Sequence, residues 1–164
     1  MSSIERKFLR HLINATPGET TATYETLGKD LEEYNIEMNP EVETKKNILG
    51  ENSVKLSSYE PQASAEPYYA ENGTSLHTFL QDIIDNRKVL DDLKTDVLEV
   101  HLWEETTKDS GVFKAFKDEV VVEVVSYGGD TTGYQIPFNV HYTNVRTAGT
   151  YDTASKAFTP TVSA

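Results

Sequence analysis

Hydrophobic and polar residues alternate along much of the second half of the chain, and this period of two predicts β-strands. The clearest run covers residues 134–143, where aromatic and aliphatic side chains occupy every second position. Residues 98–103 alternate in the same way, and residues 113–127 form a longer stretch rich in valine. Residues 23–27 and 31–38 predict two shorter strands, the second of them acidic. Pro137 cannot donate to a strand ladder, so we expect an edge or a bulge at that position.

One segment has the period of a helix. Its apolar side chains are spaced i, i+3, i+4, i+7 and i+8, which places them on one stripe. They are Leu76, Phe79, Leu80, Ile83 and Ile84. Asn72-Gly73 breaks the chain before this stripe, and Thr74 or Ser75 can cap the free amides. The pattern predicts one helix over about residues 74–90, lying across a sheet.

Residues 41–58 alternate only loosely and predict a protruding loop or hairpin. Gly50-Glu51-Asn52 can form the turn between arms at 42–49 and 53–58. Both arms carry many polar side chains, so the sequence indicates a hairpin that is polar on both faces. Such a hairpin cannot bury much against its own domain. It therefore either lies in solvent or packs on a neighbouring molecule.

Together these elements predict a single domain over residues 1–164. A chain of this length can bury a substantial core. The predicted fold is mainly β, an antiparallel β-sandwich or open barrel with one flanking α-helix. Two-residue periodicity and abundant Thr, Ser, Asn and Gly favour this class over a helical bundle.

Charge narrows the possible partners. The chain has 27 acidic and 15 basic residues, which gives a formal net charge of −12. Binding to a nucleic-acid backbone needs clustered Lys and Arg, and docking on anionic lipid needs a basic surface. We therefore expect neither. The sequence contains no apolar run that approaches the ~20 residues of a membrane helix. It also shows no apolar segment of the kind found in secretion signals.

The sequence offers little catalytic chemistry. Because the chain has no cysteine, disulfides, thiolate metal sites and cysteine nucleophiles are excluded. HExxH, GxSxG and phosphate-binding GxxxxGK[ST] motifs are absent, and none of the four histidines has a partner at a recognised ligand spacing. Paired carboxylates such as Asp118-Glu119 are more typical of solvated turns than of a cleft. We expect no catalytic residue, no metal and no cofactor.

The order of short signatures along the chain resembles a known family. They are residues 24–34 (YETLGKDLEEY), 39–46 (NPEVETKK), 58–62 (SYEPQ), the helix over 79–87, Gly128-Gly129-Asp130 before a long alternating strand, and a final hairpin at 149–159. This order is similar to that of the major tail proteins, or tail tube proteins, of long-tailed bacteriophages and prophages of Firmicutes. The resemblance covers nearly the whole chain.

The resemblance implies a virion structural protein without enzymatic activity. Members form hexameric rings that stack into a tail tube, and their inner sheets join into one β-barrel around a lumen. DNA passes through this lumen without specific binding. The implied partners are further copies of the chain, the tape measure protein, the tail terminator and the distal tail proteins. The implied location is the virion tail, with assembly in the bacterial cytoplasm. The resemblance also implies that residues 7–13, ambiguous from their own pattern, form a strand.

Two sets of site residues follow from the resemblance. The protruding hairpin implies contacts between subunits or rings through Glu41, Glu43, Lys45, Lys46 and Lys55. A negative lumen repels DNA phosphates, and acidic residues on the less apolar strand faces imply lumen-facing positions at Glu99, Glu119 and Glu123.

Two other functions remain open. A non-catalytic β-sandwich that binds carbohydrate, as in adhesins, needs an exposed aromatic platform, for which Tyr68-Tyr69 and Trp103 are candidates. Tube subunits of contractile tails and of phage-derived bacteriocins share the tail tube fold, so the chain could also serve in one of these.

Overall fold

A computed structural model of the chain describes residues 2–28, 31, 33–66 and 68–161. The fold is mainly β, as the sequence predicted: an antiparallel sheet curls into a half-barrel, and one α-helix flanks it. Lys29, Asp30 and Glu32, which belong to the first family signature, lie outside the described residues.

Eleven strands and one α-helix occur within the described ranges. In chain order they are β1 (Leu9–Asn14), β2 (Tyr24–Leu27), β3 (Pro40–Lys46), β4 (Asn52–Tyr59), β5 (Gln62–Ala65), α1 (Ser75–Asn86), β6 (Lys94–Glu105), β7 (Val112–Val124), β8 (Gly128–Asp130), β9 (Gly133–Gln135), β10 (Phe138–Asp152) and β11 (Ala157–Pro160). Short 3₁₀ turns cover Arg6–Phe8 and Leu90–Leu93.

The main sheet has the order β11-β10-β7-β6-β1-β2, and β5 pairs with the same edge of β10 as β11 does. The hairpins β3–β4 and β8–β9 form two separate small sheets. Residues Gly128–Asp130 and Gly133–Gln135 thus form a short hairpin between the two long strands β7 and β10. The described part of the acidic segment at 31–38 was wrongly predicted as a strand, since it makes only an isolated bridge between Glu37 and Gln62.

Helix α1 begins and ends with defined caps. The side-chain oxygen of Thr74 accepts a hydrogen bond from the amide of His77 at 3.3 Å, as expected of an N-cap. The helix ends at Asn86, earlier than predicted, because Arg87 adopts a left-handed conformation with φ 47° and ψ 50°. The Arg87 amide then bonds the carbonyls of Ile83 and Ile84 and closes the last turn.

The core lies between α1 and one face of the sheet. The predicted helix stripe supplies four buried residues, and residues of β1, β5, β6, β7 and β10, together with Ala15 and Ile136 just outside the strands, complete the cluster. The buried members are Leu76, Leu80, Ile83, Ile84, Ile13, Ala15, Ala65, Val97, Val120, Val122, Ile136, Phe138 and Val140. A smaller cluster on the opposite face, at the far end of the sheet, contains Leu12, Leu98, Val100, Ala115 and Tyr151.

Strand β10 departs from regular pairing at two places. Ile136-Pro137 separates β9 from β10, where the sequence predicted an irregularity. The ladder between β7 and β10 shifts register between Tyr142 and Arg146. Within this bulge, Asn144 has a positive φ of 70°, and its side-chain amide donates to the carbonyl of Tyr59 at 2.8 Å. The bulge therefore holds the base of the β3–β4 hairpin.

We predict that Asn144→Asp lowers the free energy of unfolding by about 1–2 kcal/mol. Aspartate tolerates the left-handed conformation but cannot donate to the Tyr59 carbonyl, so the change removes the hydrogen bond and adds one negative charge, which the control also adds. Denaturant titration measures the loss. Asn72→Asp, at an exposed loop position, is the control, and an equal effect of both changes would contradict this role of Asn144.

Candidate functional site

The β3–β4 hairpin is the part of the chain that contributes least to the core. Every residue from 39 to 60 is exposed. The strand register nevertheless sorts its side chains by polarity. Val42 pairs with Leu56, and Thr44 pairs with Val54, so these four side chains share one face. The expectation of a hairpin polar on both faces is therefore wrong.

We call the surface formed by Val42, Val54 and Leu56 the hairpin apolar face. These side chains are 53%, 68% and 48% exposed, respectively. The sequence did not reveal this face because the turn was predicted at residues 50–52, whereas the pairing starts with Lys46 opposite Asn52. The position of the turn decides which residues of the two arms lie side by side.

The hairpin tip is formed by Ile48 and Leu49, which are 103% and 75% exposed. The carboxamide oxygen of Asn47 accepts hydrogen bonds from the amides of Leu49 and Glu51, both at 2.9 Å. Gly50 completes the turn with a φ of 79°. The turn is therefore tightly held while both of its apolar side chains face solvent.

All five residues expected at subunit contacts lie on this hairpin. Glu43, Lys45 and Lys55 share the face opposite to the hairpin apolar face, while Lys46 lies on the apolar side near the tip. Glu41 lies at the bulge and accepts a hydrogen bond from the Ser58 hydroxyl at 3.2 Å. None of the five forms a salt bridge with the rest of the described chain. Their charges are therefore available to another molecule.

The three acidic residues expected at a lumen do not share one surface. Along β7, Val120 and Val122 point into the core under α1, so Glu119 and Glu123 lie on the opposite face of the sheet. Glu99 lies on the same face as the core residue Val97, two positions away. The side chains of Glu119 and Glu123 are 37% and 56% exposed, whereas that of Glu99 is 13% exposed. Only Glu119 and Glu123 remain on a common open face.

Glu99 is the centre of a buried polar cluster beyond the end of the hydrophobic core. One of its carboxylate oxygens is hydrogen-bonded to the His101 ring at 2.8 Å and accepts from Arg146 at 2.9 Å. The other lies 3.5 Å from Nε2 of His11. Arg146 also stacks on Phe116, with its guanidinium carbon 4.0 Å from the ring centroid. The cluster joins β1, β6, β7 and β10.

The two buried carboxylates of this cluster have opposite pKa shifts. Burial raises the pKa of Glu99, but the nearby His11 ring, the hydrogen bond with His101 and the charge of Arg146 outweigh it, and the pKa falls to about 2. Burial raises the pKa of Asp118 to about 6, and Arg146 offsets this only in part. Oδ2 of Asp118 lies 3.6 Å from Arg146 and makes no hydrogen bond within the described residues.

Carboxylates with divergent pKa values can act as acid and base in an enzyme, but these are poorly accessible. The side chains of His11 and Asp118 are 3% and 6% exposed. Tyr34 covers the cluster: its ring centroid lies 4.8 Å from that of His11, and its hydroxyl is 3.1 Å from that of Tyr142. We assign the cluster a structural role, which is to fix four strands and the 33–36 segment.

Sequence reasoning missed this cluster. The spacing of Glu99 and His101 places both on one face of a strand, and that signal was available. His11, Asp118 and Arg146, however, come from three other strands. Their register with β6 is a property of the folded sheet, and no local pattern indicates it.

Two of the aromatic residues named as candidates for a sugar-binding platform, Tyr68 and Trp103, pack against other rings. Tyr68 packs edge-on against the core residue Phe138, with ring centroids 5.8 Å apart. Trp103 stacks in parallel on His101 at 4.5 Å. One face of the Trp103 ring is thereby covered, and Tyr68 is turned inward. The arrangement favours packing over sugar binding.

Comparison with protein-family models and with curated proteins finds no match. The likeness to tail tube proteins therefore rests on the order of signatures along the chain. In the described ranges, no group of three or more His, Cys, Asp or Glu side chains is arranged to hold a metal ion. No helix in the described part of the chain is long and apolar enough to cross a membrane.

We predict opposite pH dependences for Asp118→Asn and Glu99→Gln. An acid whose pKa is raised on folding stabilises the protein at low pH, and this contribution is lost as the pH rises from about 4 through 6. Asp118→Asn should therefore raise the free energy of unfolding by about 1–3 kcal/mol at pH 8 and change it little at pH 4.

For Glu99 the contribution to the free energy of unfolding changes with pH in the opposite direction. Its lowered pKa stabilises the fold above pH 4.5, and this contribution is lost as the pH falls through about 2. Glu99→Gln should cost about 2–3 kcal/mol at pH 7, with the difference shrinking on acidification. Denaturant titration of both variants across this range provides the measurement. Effects that do not vary with pH would contradict the assigned cluster.

Proposed function

We propose that this chain is a virion structural protein that assembles into stacked hexameric rings and forms the tube of a phage tail, through which DNA passes. The observation that carries the proposal is the β3–β4 hairpin, whose apolar face is uncovered and whose five charged residues expected at contacts form no salt bridge with the described residues. The order of family signatures along the sequence supports it as well.

The hairpin apolar face is suited to burial in another molecule. Fully burying a Val or Leu side chain contributes about 1.5–3 kcal/mol. Val42, Val54 and Leu56 leave roughly half or more of their surface in water, so the hairpin can gain part of this contribution by packing its apolar face on a second copy. The hydrogen bond from Asn144 to Tyr59 restrains the base of the hairpin and so lowers the ordering cost of that contact.

In this proposal the curled sheet of each subunit forms part of the wall of the lumen. A half-barrel has open edges, which are a liability in a monomer and which ring closure removes. The part of the sheet face opposite α1 that lies beyond the smaller buried cluster is open and carries Glu119 and Glu123. In a ring this face would line the lumen, where carboxylates repel DNA phosphates and prevent adhesion. Glu99 has no part in this lining, since its carboxylate is engaged on the other face.

We predict that the purified protein forms rings or hollow tubes as its concentration rises, and that Val54→Asp or Leu56→Asp prevents this. A charge on the hairpin apolar face carries a desolvation cost on assembly, but it disturbs no core packing in the monomer. Negative-stain electron microscopy and light scattering report the assemblies, and thermal unfolding of the dilute subunit checks that the fold is unchanged.

Ser53→Asp is the matched control, because Ser53 lies on the same strand but on the opposite face of the hairpin. It should leave assembly intact. The proposal would be contradicted if the protein stays strictly monomeric at high concentration, even after tape measure and tail initiator proteins are added. That outcome would favour a monomeric binding module.

A further inference from the structure

The curled sheet encloses a trough of about 1230 Å³ on the face opposite α1. Strands β6, β7 and β10 form its floor, residues 20–24 form one wall, and residues 155–160 form the other. The smaller buried cluster lies beside it, and Tyr24 from the first wall and Phe158 from the second both pack against that cluster. Both edges of the half-barrel therefore border one concave pocket, which we call the half-barrel trough. The mouth of a barrel is a common place for a small-molecule site.

The two carboxylates that line the half-barrel trough are already engaged within the chain. Asp96 accepts a hydrogen bond from the side-chain amide of Asn14 at 3.1 Å and another from the Tyr24 hydroxyl. A carboxylate oxygen of Glu119 lies 3.7 Å from the ammonium group of Lys94. Among the described residues, no other acidic side chain lines the trough. A ligand therefore meets no carboxylate here that lacks a partner.

Donor groups in the trough, by contrast, are left free. Lys117 on the floor and Lys156 on the wall form no salt bridge with any described residue. Thr147 lies directly opposite Lys117 across the β7–β10 ladder, and Ser155 precedes Lys156. Neither hydroxyl has a hydrogen-bond partner in the part of the chain that the structure describes. With Lys94 the trough has three cations against two anions, in a chain whose formal net charge is −12.

These free groups suit a ligand that is rich in anionic oxygen atoms. An ammonium group offers three donors and a hydroxyl offers one, and phosphate oxygens accept from both. Because Lys117 and Lys156 come from the floor and from a wall, a ligand with one charged group leaves one of the two lysines without a partner. A chain of linked phosphate groups carries enough charge and enough acceptors for both.

We propose that the half-barrel trough binds a small molecule with two or more linked phosphate groups, either an inorganic polyphosphate or the phosphate chain of a nucleotide. Lys117 and Lys156 bind the phosphate oxygens, and the hydroxyls of Thr147 and Ser155 donate beside them. Binding by the dilute subunit does not depend on the proposed assembly. If this face lines a lumen, the bound phosphate chain also covers two lysines that would otherwise attract DNA phosphates to the wall.

Calorimetric titration of the dilute protein with tripolyphosphate, in metal-free buffer, tests the site. We expect one molecule to bind per chain, more tightly than orthophosphate. Lys117→Gln and Lys156→Gln should each weaken binding about tenfold, because each removes a charge-assisted hydrogen bond. Lys108→Gln, at an exposed loop position outside the trough, is the matched control and should bind like the unmodified chain. Thermal unfolding checks that all three variants keep the fold.

Further ligands separate the possible sources of the anion. Adenosine triphosphate that binds more tightly than tripolyphosphate would support the proposal with a nucleotide as ligand, and weaker binding would support it with an inorganic chain.

Three outcomes would overturn the proposal. They are binding of tripolyphosphate that is unchanged when both lysines are replaced, binding of citrate that is equally tight, and binding of a single-stranded oligonucleotide without binding of tripolyphosphate. A protein that binds tripolyphosphate through these lysines but never assembles would overturn the proposed function and leave the phosphate site standing. Rings or tubes formed by a protein that binds no tripolyphosphate would have the opposite meaning.

Discussion

The bulge between β7 and β10 is the constraint on which much of this structure depends. On one side of it, β10 pairs with β7 to complete the core under α1. On the other side, the shifted register brings Arg146 opposite Asp118 and over Phe116. Within the bulge, Asn144 holds the base of the hairpin. One irregularity in one ladder thus connects the core, the buried charges and the protruding hairpin.

The position of Arg146 explains why the buried carboxylates of the polar cluster are tolerated, although its own side chain is 43% exposed. A guanidinium between two carboxylates offsets part of their desolvation, and stacking on Phe116 holds it in place. Arg146 does not compensate the two carboxylates equally. Glu99 has short hydrogen bonds with Arg146 and His101, whereas Oδ2 of Asp118 has no hydrogen bond within the described residues. The cluster therefore orders four strands at some cost in stability at neutral pH. A hydrophobic core at the same place would hold the strands together without fixing the rotamer of each partner.

The exposed surfaces have a common physical character. The hairpin tip and the chain after α1 each leave aliphatic side chains in water, with Ile48, Leu49, Val89 and Leu90 all more than 60% exposed. An isolated chain gains no stability from this exposure, since the hydrophobic effect favours burial of those groups. On the sheet face opposite α1, Glu119 and Glu123 remain in contact with solvent, and Lys94 lies 3.7 Å from Glu119.

Local pattern alone determined the helix stripe from Leu76 to Ile84, which has a period of 3.6 residues. It also determined the long strands, which have a period of 2, and with them the mainly β class. Each of these patterns lies within one segment of the chain. The same pattern failed at the hairpin apolar face, at residues 31–38 and around Glu99. Each of these depends on which residues lie opposite one another across a ladder, and a bulge of one or two residues changes that pairing. The tertiary structure alone decided that Glu99 is buried while Glu119 and Glu123 share an open face, because strand register is fixed by packing between segments distant in sequence.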